Sequence, residues 1–599
     1  YKRQVLFDDT AERKNVSLSG SIEAESVTVD NSKSYVFNGN GFLAGHTALV
    51  KRGSGVLAIS NDNTYTGGTR ISGGTVSVNM LSNSTRAYGG LGGVVESADL
   101  FVMENGATLQ TTETVTQGSP MKMEGKDGGC VENLKDFIVE TPVEGTLLTK
   151  KGDGWMKLNT VCPSLERLAI NGGTVQCVAC DRPAQTVEFI SGTLYENTGS
   201  SYAIHVPEGG SGTWSLANRS TYNNKITGEG TLTIYCAVEH GNGWFATRTP
   251  VAVNLSLFTG TINATADMAD SYPRFTLNTS SGMPDGTLNI TAGVTVQNTG
   301  RTFRIGKLAG KGTLGGYASF ANDGATGVNT WQVGCDDDFA WAGTVTANSK
   351  FEKVGSGKMT VSGVWDNTGE VAVKEGTLCL NDRSAENAML GSGELSVEDG
   401  AVLCGMGKLG NASVTVERGG RLYSGTREGA SSGTLDFSGK RLTVSTGGEV
   451  LFNVASKVRC TTLEGISSFS LRGTLKVSVR EGLELEAGDE FQLWVANRTA
   501  LSSACTLDLD SPGEGLEWDT SALENGILKV KTATGITGVV SGEPVDCVVY
   551  TLDGARAGSF TCMPSEVGEY MERNGFRSGM YMVKMTQGQR TESRKVTVD

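Results

Sequence analysis

One phrase is written three times along this chain. A charged or polar lead-in, a Gly-x-Gly turn, an apolar strand and a second strand opened by Gly-Thr recur, starting at Leu49, Leu148 and Phe351. From Gly55 to Gly74, Gly154 to Gly173 and Gly357 to Gly376 the step is 19 residues each time. A chain that returns to the same place after roughly 20 residues, with period-2 strands and glycine at its corners, is stacking the rungs of a parallel coil. The fold class expected is all-β, with a right-handed parallel β-helix (solenoid) as its main body. Gly55, Gly154, Gly230, Gly312 and Gly357 are expected at equivalent corners.

Composition agrees with many short strands. The 599 residues include 82 Gly, about twice the usual share of roughly 7%, but only 11 Pro, which argues against a disordered Pro/Gly chain. Apolar residues at helical spacing occur only in a short stretch near Val567 to Asn574. The net charge of −14 gives no support to a nucleic-acid-binding face. No run of about 18 apolar residues is long enough to span a membrane as a helix.

The first copy, Lys51-Arg52-Gly53-Ser54-Gly55-Val56-Leu57 with Asn63-Thr64-Tyr65-Thr66-Gly67-Gly68-Thr69 and Gly73-Gly74-Thr75-Val76, resembles the autotransporter-associated β-strand repeat of bacterial passenger domains. Degenerate copies with an aromatic before the turn stand at Phe258-Thr259-Gly260 and Trp341-Ala342-Gly343. The organisation read from this is a cap over 1–40, a β-helix over 41–465, its C-terminal end over 466–535 and a separate domain over 540–599.

That last domain resembles the C-terminal sorting domain of the type IX (Por) secretion system of Bacteroidetes, through Tyr550, Gly554, Gly579, Tyr581 and Lys584 and the closing strand from Arg594 to Val598. The resemblance implies an Ig-like sandwich read by an outer-membrane translocon. A self-exporting passenger is expected to continue into a membrane barrel, for which about sixty residues are too few.

Chemistry is sparse. Of twelve cysteines only Cys177 and Cys180 form a C-x-x-C, and His46, His205 and His240 are far apart, so neither metal nor cofactor is assigned. Most cysteines read as small buried hydrophobes, with one or two disulfides as the alternative. Asp336, Asp337 and Asp338 form the best acidic cluster, read as solvated turn residues rather than catalytic ones. Candidate ligand or partner contacts are aromatics in irregular insertions: Trp244, Phe245 and Arg248, and Trp331 in a second stretch. The resemblances imply a non-enzymatic cell-surface or secreted rod acting as adhesin, scaffold or accessory component of an outer-membrane assembly. Its partners would be a surface glycan, a protein or other outer-membrane components, and the translocon through the tail. The alternative is a carbohydrate-binding or polysaccharide-degrading β-helix.

Overall fold

The computed structural model describes residues 3–533 and 542–598, apart from 198, 217–221, 237–249, 267–273, 278, 299, 317–327, 382–389 and 589. Short segments with alternating β-branched and polar residues form strands, and each strand lies parallel to its counterpart one turn earlier. Val56–Ile59 shows the rule: Leu57 and Ile59 are buried, and Val56 and Ala58 face outward. Three faces result. On the first, Gln4–Asp8, Ser26–Asp30, Ala48–Arg52 and Thr69–Ile71 stack in register. On the second, Asn15–Leu18 is followed by Tyr35–Gly39, Val56–Ile59, Thr75–Val78, Ala107–Thr111 and Gly129–Asn133. The third takes over Val115–Gln117, Phe137–Val139 and Trp155–Leu158.

Parallel stacking starts inside the stretch read as an N-terminal cap and runs to Thr499–Leu501 and Thr506–Leu509. The end is closed by an antiparallel sheet of Glu490–Gln492, Ile527–Thr532 and Leu516–Asp519. One continuous apolar core fills the coil from Leu18 to Val530. At ~4.8 Å per turn, about 20 turns make a rod on the order of 100 Å long.

The glycine corners are chemically alike but do not share one edge of the coil. Gly55 sits between the first face (Ala48–Arg52) and the second (Val56–Ile59). Gly154 lies between 148–151, which continues the second face by pairing with Gly129–Asn133, and Trp155–Leu158 on the third. Gly230 and Gly357 occupy this later edge too, whereas Gly312 precedes Thr313–Gly315, whose stack runs back through Thr295–Asn298 and Arg274–Leu277. The expectation of equivalent corners therefore fails for Gly55 and Gly312. The phrase specifies a kind of corner, and all three edges of the coil accept it.

Residues after 541 form a body with its own core of Val545, Cys547, Val549, Cys562, Val567, Met571, Tyr581, Val583, Met585 and Val598. Where a two-sheet Ig-like sandwich was expected, the described residues make one antiparallel sheet, in the order Arg556–Cys562, Val545–Thr551, Gly579–Gln587, Arg590–Val598. The helix Val567–Arg573 covers it through buried Val567 and Met571. A helix supplies the apolar cover that a second sheet would give, as the helical spacing near Val567 hinted.

Candidate functional site

The repeated phrase builds its corner around a buried lysine. Lys51, Lys150 and Lys353 are fully buried, two residues before the first glycine of the turn. Lys51 Nζ donates to the carbonyls of Arg52, Gly53 and Gly73. Lys150 makes the same three bonds to Lys151, Gly152 and Gly172 at 2.8, 2.7 and 3.2 Å, and Lys353 to Val354, Gly355 and Glu375 at 3.0, 2.7 and 3.1 Å. The closing glycines Gly74, Gly173 and Gly376 have φ of 61, 62 and 61°, so the copies repeat in backbone conformation as well as in sequence. Burial pushes each ammonium down to about 8. Three carbonyls per ammonium hold it protonated at neutral pH, so the motif is a cross-brace between successive turns and offers no reactive group to solvent.

The sequence-predicted site residues scatter. Trp244, Phe245 and Arg248 lie outside the described residues. Trp331, expected in an irregular insertion, is wholly buried on Asn329–Val333, in register between Phe303 and Phe351 and edge-on to Phe303 at 6.1 Å. The alternation of Asn329, Trp331 and Val333 inward with Thr330 and Gln332 outward is an ordinary rung, and this corrects its reading as an exposed contact. In the acidic cluster, Asp336 accepts from Ser356 Oγ at 2.8 Å, Asp337 pairs with Lys307 at 2.6 Å and Asp338 accepts from the Lys358 backbone N–H at 2.8 Å. All three carboxylates engage neighbouring turns. In the C-terminal sheet Tyr581 is buried with its hydroxyl donating to Arg577 O at 2.9 Å, Gly554 turns with φ of 90°, Gly579 opens its strand, Tyr550 is half-buried and Lys584 is exposed.

The outward side of the third face is the surface the sequence did not single out. From Trp155 one column of register partners runs through Thr174, Thr193, Thr213, Thr233, Asn263 and Asn289. Beside it runs Lys157, Gln176, Tyr195, Ser215, Tyr235 and Thr265. The inward partners Met156, Val175, Leu194, Trp214, Ile234 and Ala264, which lie between the two columns, are core, and this fixes the columns outward. Six steps of ~4.8 Å make a strip about 30 Å long. It carries no carboxylate, and Lys157 is paired with Asp136 at 2.6 Å. Asn289 donates to Asn263 Oδ1 at 2.9 Å, Trp155 is 41% exposed, and its ring lies 6.3 Å from Tyr195. The first face differs: Arg70 bridges Glu104 and Glu124 at 3.0 and 2.9 Å, and Lys122 pairs with Asp99.

Beneath this strip Glu196 is fully buried. It accepts from Tyr202 Oη at 2.6 Å, Trp214 Nε1 at 2.7 Å and Ser200 Oγ at 3.0 Å. Burial pushes its carboxyl up to about 7, against the pull of those donors. Among the described residues no group of three or more His, Cys, Asp or Glu is arranged to hold a metal ion, and no helix is long and apolar enough to cross a membrane.

Residues 49–78, the first copy of the phrase, match the family described as Passenger-associated-transport-repeat. The chain is also similar to the adhesin BmaC autotransporter of Brucella suis biovar 1 (strain 1330), at 25% identity over 392 residues, 62% of this chain. It spans about a tenth of that relative's length.

Proposed function

We propose that this chain is a non-enzymatic β-helical protein of the bacterial cell surface or its surroundings, working as an adhesin, scaffold or accessory component of an outer-membrane assembly. The observation that carries the reading is the unbroken parallel stack, whose apolar residues turn inward while one long outer face repeats small polar groups turn after turn. A rod of this kind multiplies weak contacts along a line, which is what attachment requires. The similarity to an autotransporter adhesin and the passenger-type repeat support the surface assignment.

In the same reading the C-terminal body is a type IX sorting signal in a Bacteroidetes host, recognised by the translocon through the strand bearing Gly579 and Tyr581. Replacing Gly579 and Tyr581 should then trap the protein in the periplasm. Protease shaving of intact cells checks this, and undiminished display would remove the sorting role.

One observation favours a second reading, glycan binding. The strip with Trp155, Tyr195 and Tyr235, whose one charge is the paired Lys157, offers hydroxyls, amides and ring faces, the groups that meet neutral sugars. A glycan array read beside a reducing-sugar assay separates the alternatives. Retention without release of reducing ends supports binding, sustained release makes the chain an enzyme, and neither result with adhesion to protein-coated surfaces leaves the adhesin reading alone. In the glycan case Thr193→Glu with Thr213→Glu should abolish retention without moving the melting temperature.

A further inference from the structure

Cys379 and Cys404 are register partners on adjacent turns, in Thr377–Asn381 and Val402–Lys408. Both are fully buried, yet neither belongs to the apolar core, which takes the alternate residues Leu378, Leu380 and Leu403. Their side chains point outward and are buried because the segment after Ser424 folds over them. Thr426 O accepts from Lys358 Nζ at 2.5 Å and from Cys379 Sγ at 3.8 Å. That segment is tied down by Glu428 to Arg421 at 3.0 Å and by Ala430 O to Asn453 at 2.8 Å. Lys358 Nζ and Cys379 Sγ thus meet at the same carbonyl, which sets the cation beside Cys379. Neighbouring strands stand ~4.8 Å apart, within the Cα separation a disulfide spans.

We propose that Cys379 and Cys404 are a redox-active pair that closes into a disulfide between successive turns, with Cys379 the attacking thiol and Lys358 its activating cation. The neighbouring Cys404 thiol and the Lys358 charge hold the Cys379 thiol below its usual range, while burial against Cys379 pushes Cys404 up. The thiolate therefore settles on Cys379. The oxidant is a small-molecule or protein disulfide. Cys379 thiolate attacks one of its sulfurs, forming a mixed disulfide and expelling a thiolate. Cys404 passes its proton to that thiolate and attacks Cys379 Sγ, expelling the second thiolate, which takes a proton from solvent. One protein dithiol and one disulfide become one protein disulfide and two thiols. Exported proteins meet such oxidants outside the cytoplasm; closure of the pair there rests on the surface reading, but the chemistry itself does not.

Reduced, folded full-length protein incubated with oxidised glutathione and mapped without reduction is expected to yield a Cys379–Cys404 cross-linked peptide. Its melting temperature should rise by several degrees and fall back with dithiothreitol. Cys404→Ser should stop the reaction at a glutathione adduct on Cys379, and Lys358→Met should slow its formation about tenfold at pH 7. A Cys379→Ser, Cys404→Ser protein should show no oxidant-dependent shift. The proposal is overturned if both thiols stay free while partly exposed Cys335, Cys460 or Cys505 take up glutathione, or if the bridge forms only in denaturant. Cross-linking in vitro with free thiols on cells would sink the surface reading and leave the redox pair standing.

Discussion

A lysine with no exposed surface and no carboxylate partner is costly unless its three hydrogens all find acceptors. At Lys51, Lys150 and Lys353 they do, so removing the amine takes a donor from each of three carbonyls inside the coil. Lys150→Met is expected to cost about 2–4 kcal/mol in chemical unfolding. The depressed ammoniums add a pH signature: their contribution to stability is present above pH 10.5 and is lost as pH falls through about 8, and lysine side-chain NMR should show three resonances titrating near 8. Glu196 runs the other way. Its folded carboxyl keeps a proton up to about pH 7 while the unfolded one loses it near 4.5, so its contribution is full below 4.5 and lost as pH rises through 7. Glu196→Gln should flatten this slope, which is on the order of 3 kcal/mol, in melts run from pH 4 to 8.

At the level of the turn, the sequence was legible wherever glycine and period-2 patterning coincide. The 19-residue step located three rungs and their closing strands. It could not tell which edge of the coil a corner occupies, because edges differ only in how many residues each intervening face consumes, and insertions change that number. Nor could it show the lysine's role, since a charged residue before a turn looks solvated until the turn below supplies acceptors. Trp331 was misplaced for a related reason: a rung without the glycine phrase reads as an insertion although its alternation is intact. The threonine column of the third face is invisible in sequence because its members stand about 20 residues apart. The corner geometry gives its own test. Gly173 has φ of 62°, and a Cβ there would lie 2.4 Å from Gly152 O and 2.8 Å from Lys150 Nζ. Gly173→Ala should destabilise the rod by about 2 kcal/mol or more, whereas Gly439→Ala, also at positive φ but with no atom within 4 Å of its Cβ, should cost about 1 kcal/mol.

At the scale of the molecule, two apolar cores among the described residues share no member, one ending at Val530 and the other beginning at Val545. Each body should therefore unfold on its own. Removing residues after 541 is expected to leave the rod's calorimetric transition unmoved and to delete a smaller one; loss of many degrees from the rod would show that the tail caps it. Within the rod, every strand answers only to the turns directly above and below. Pulled from its ends, such a coil gives way at one terminal turn while the others stay closed. Each released turn of about 20 residues pays out roughly 70 Å of chain where it had contributed about 5 Å of height. If the rod attaches cells as proposed, that attachment lengthens in steps under load instead of snapping.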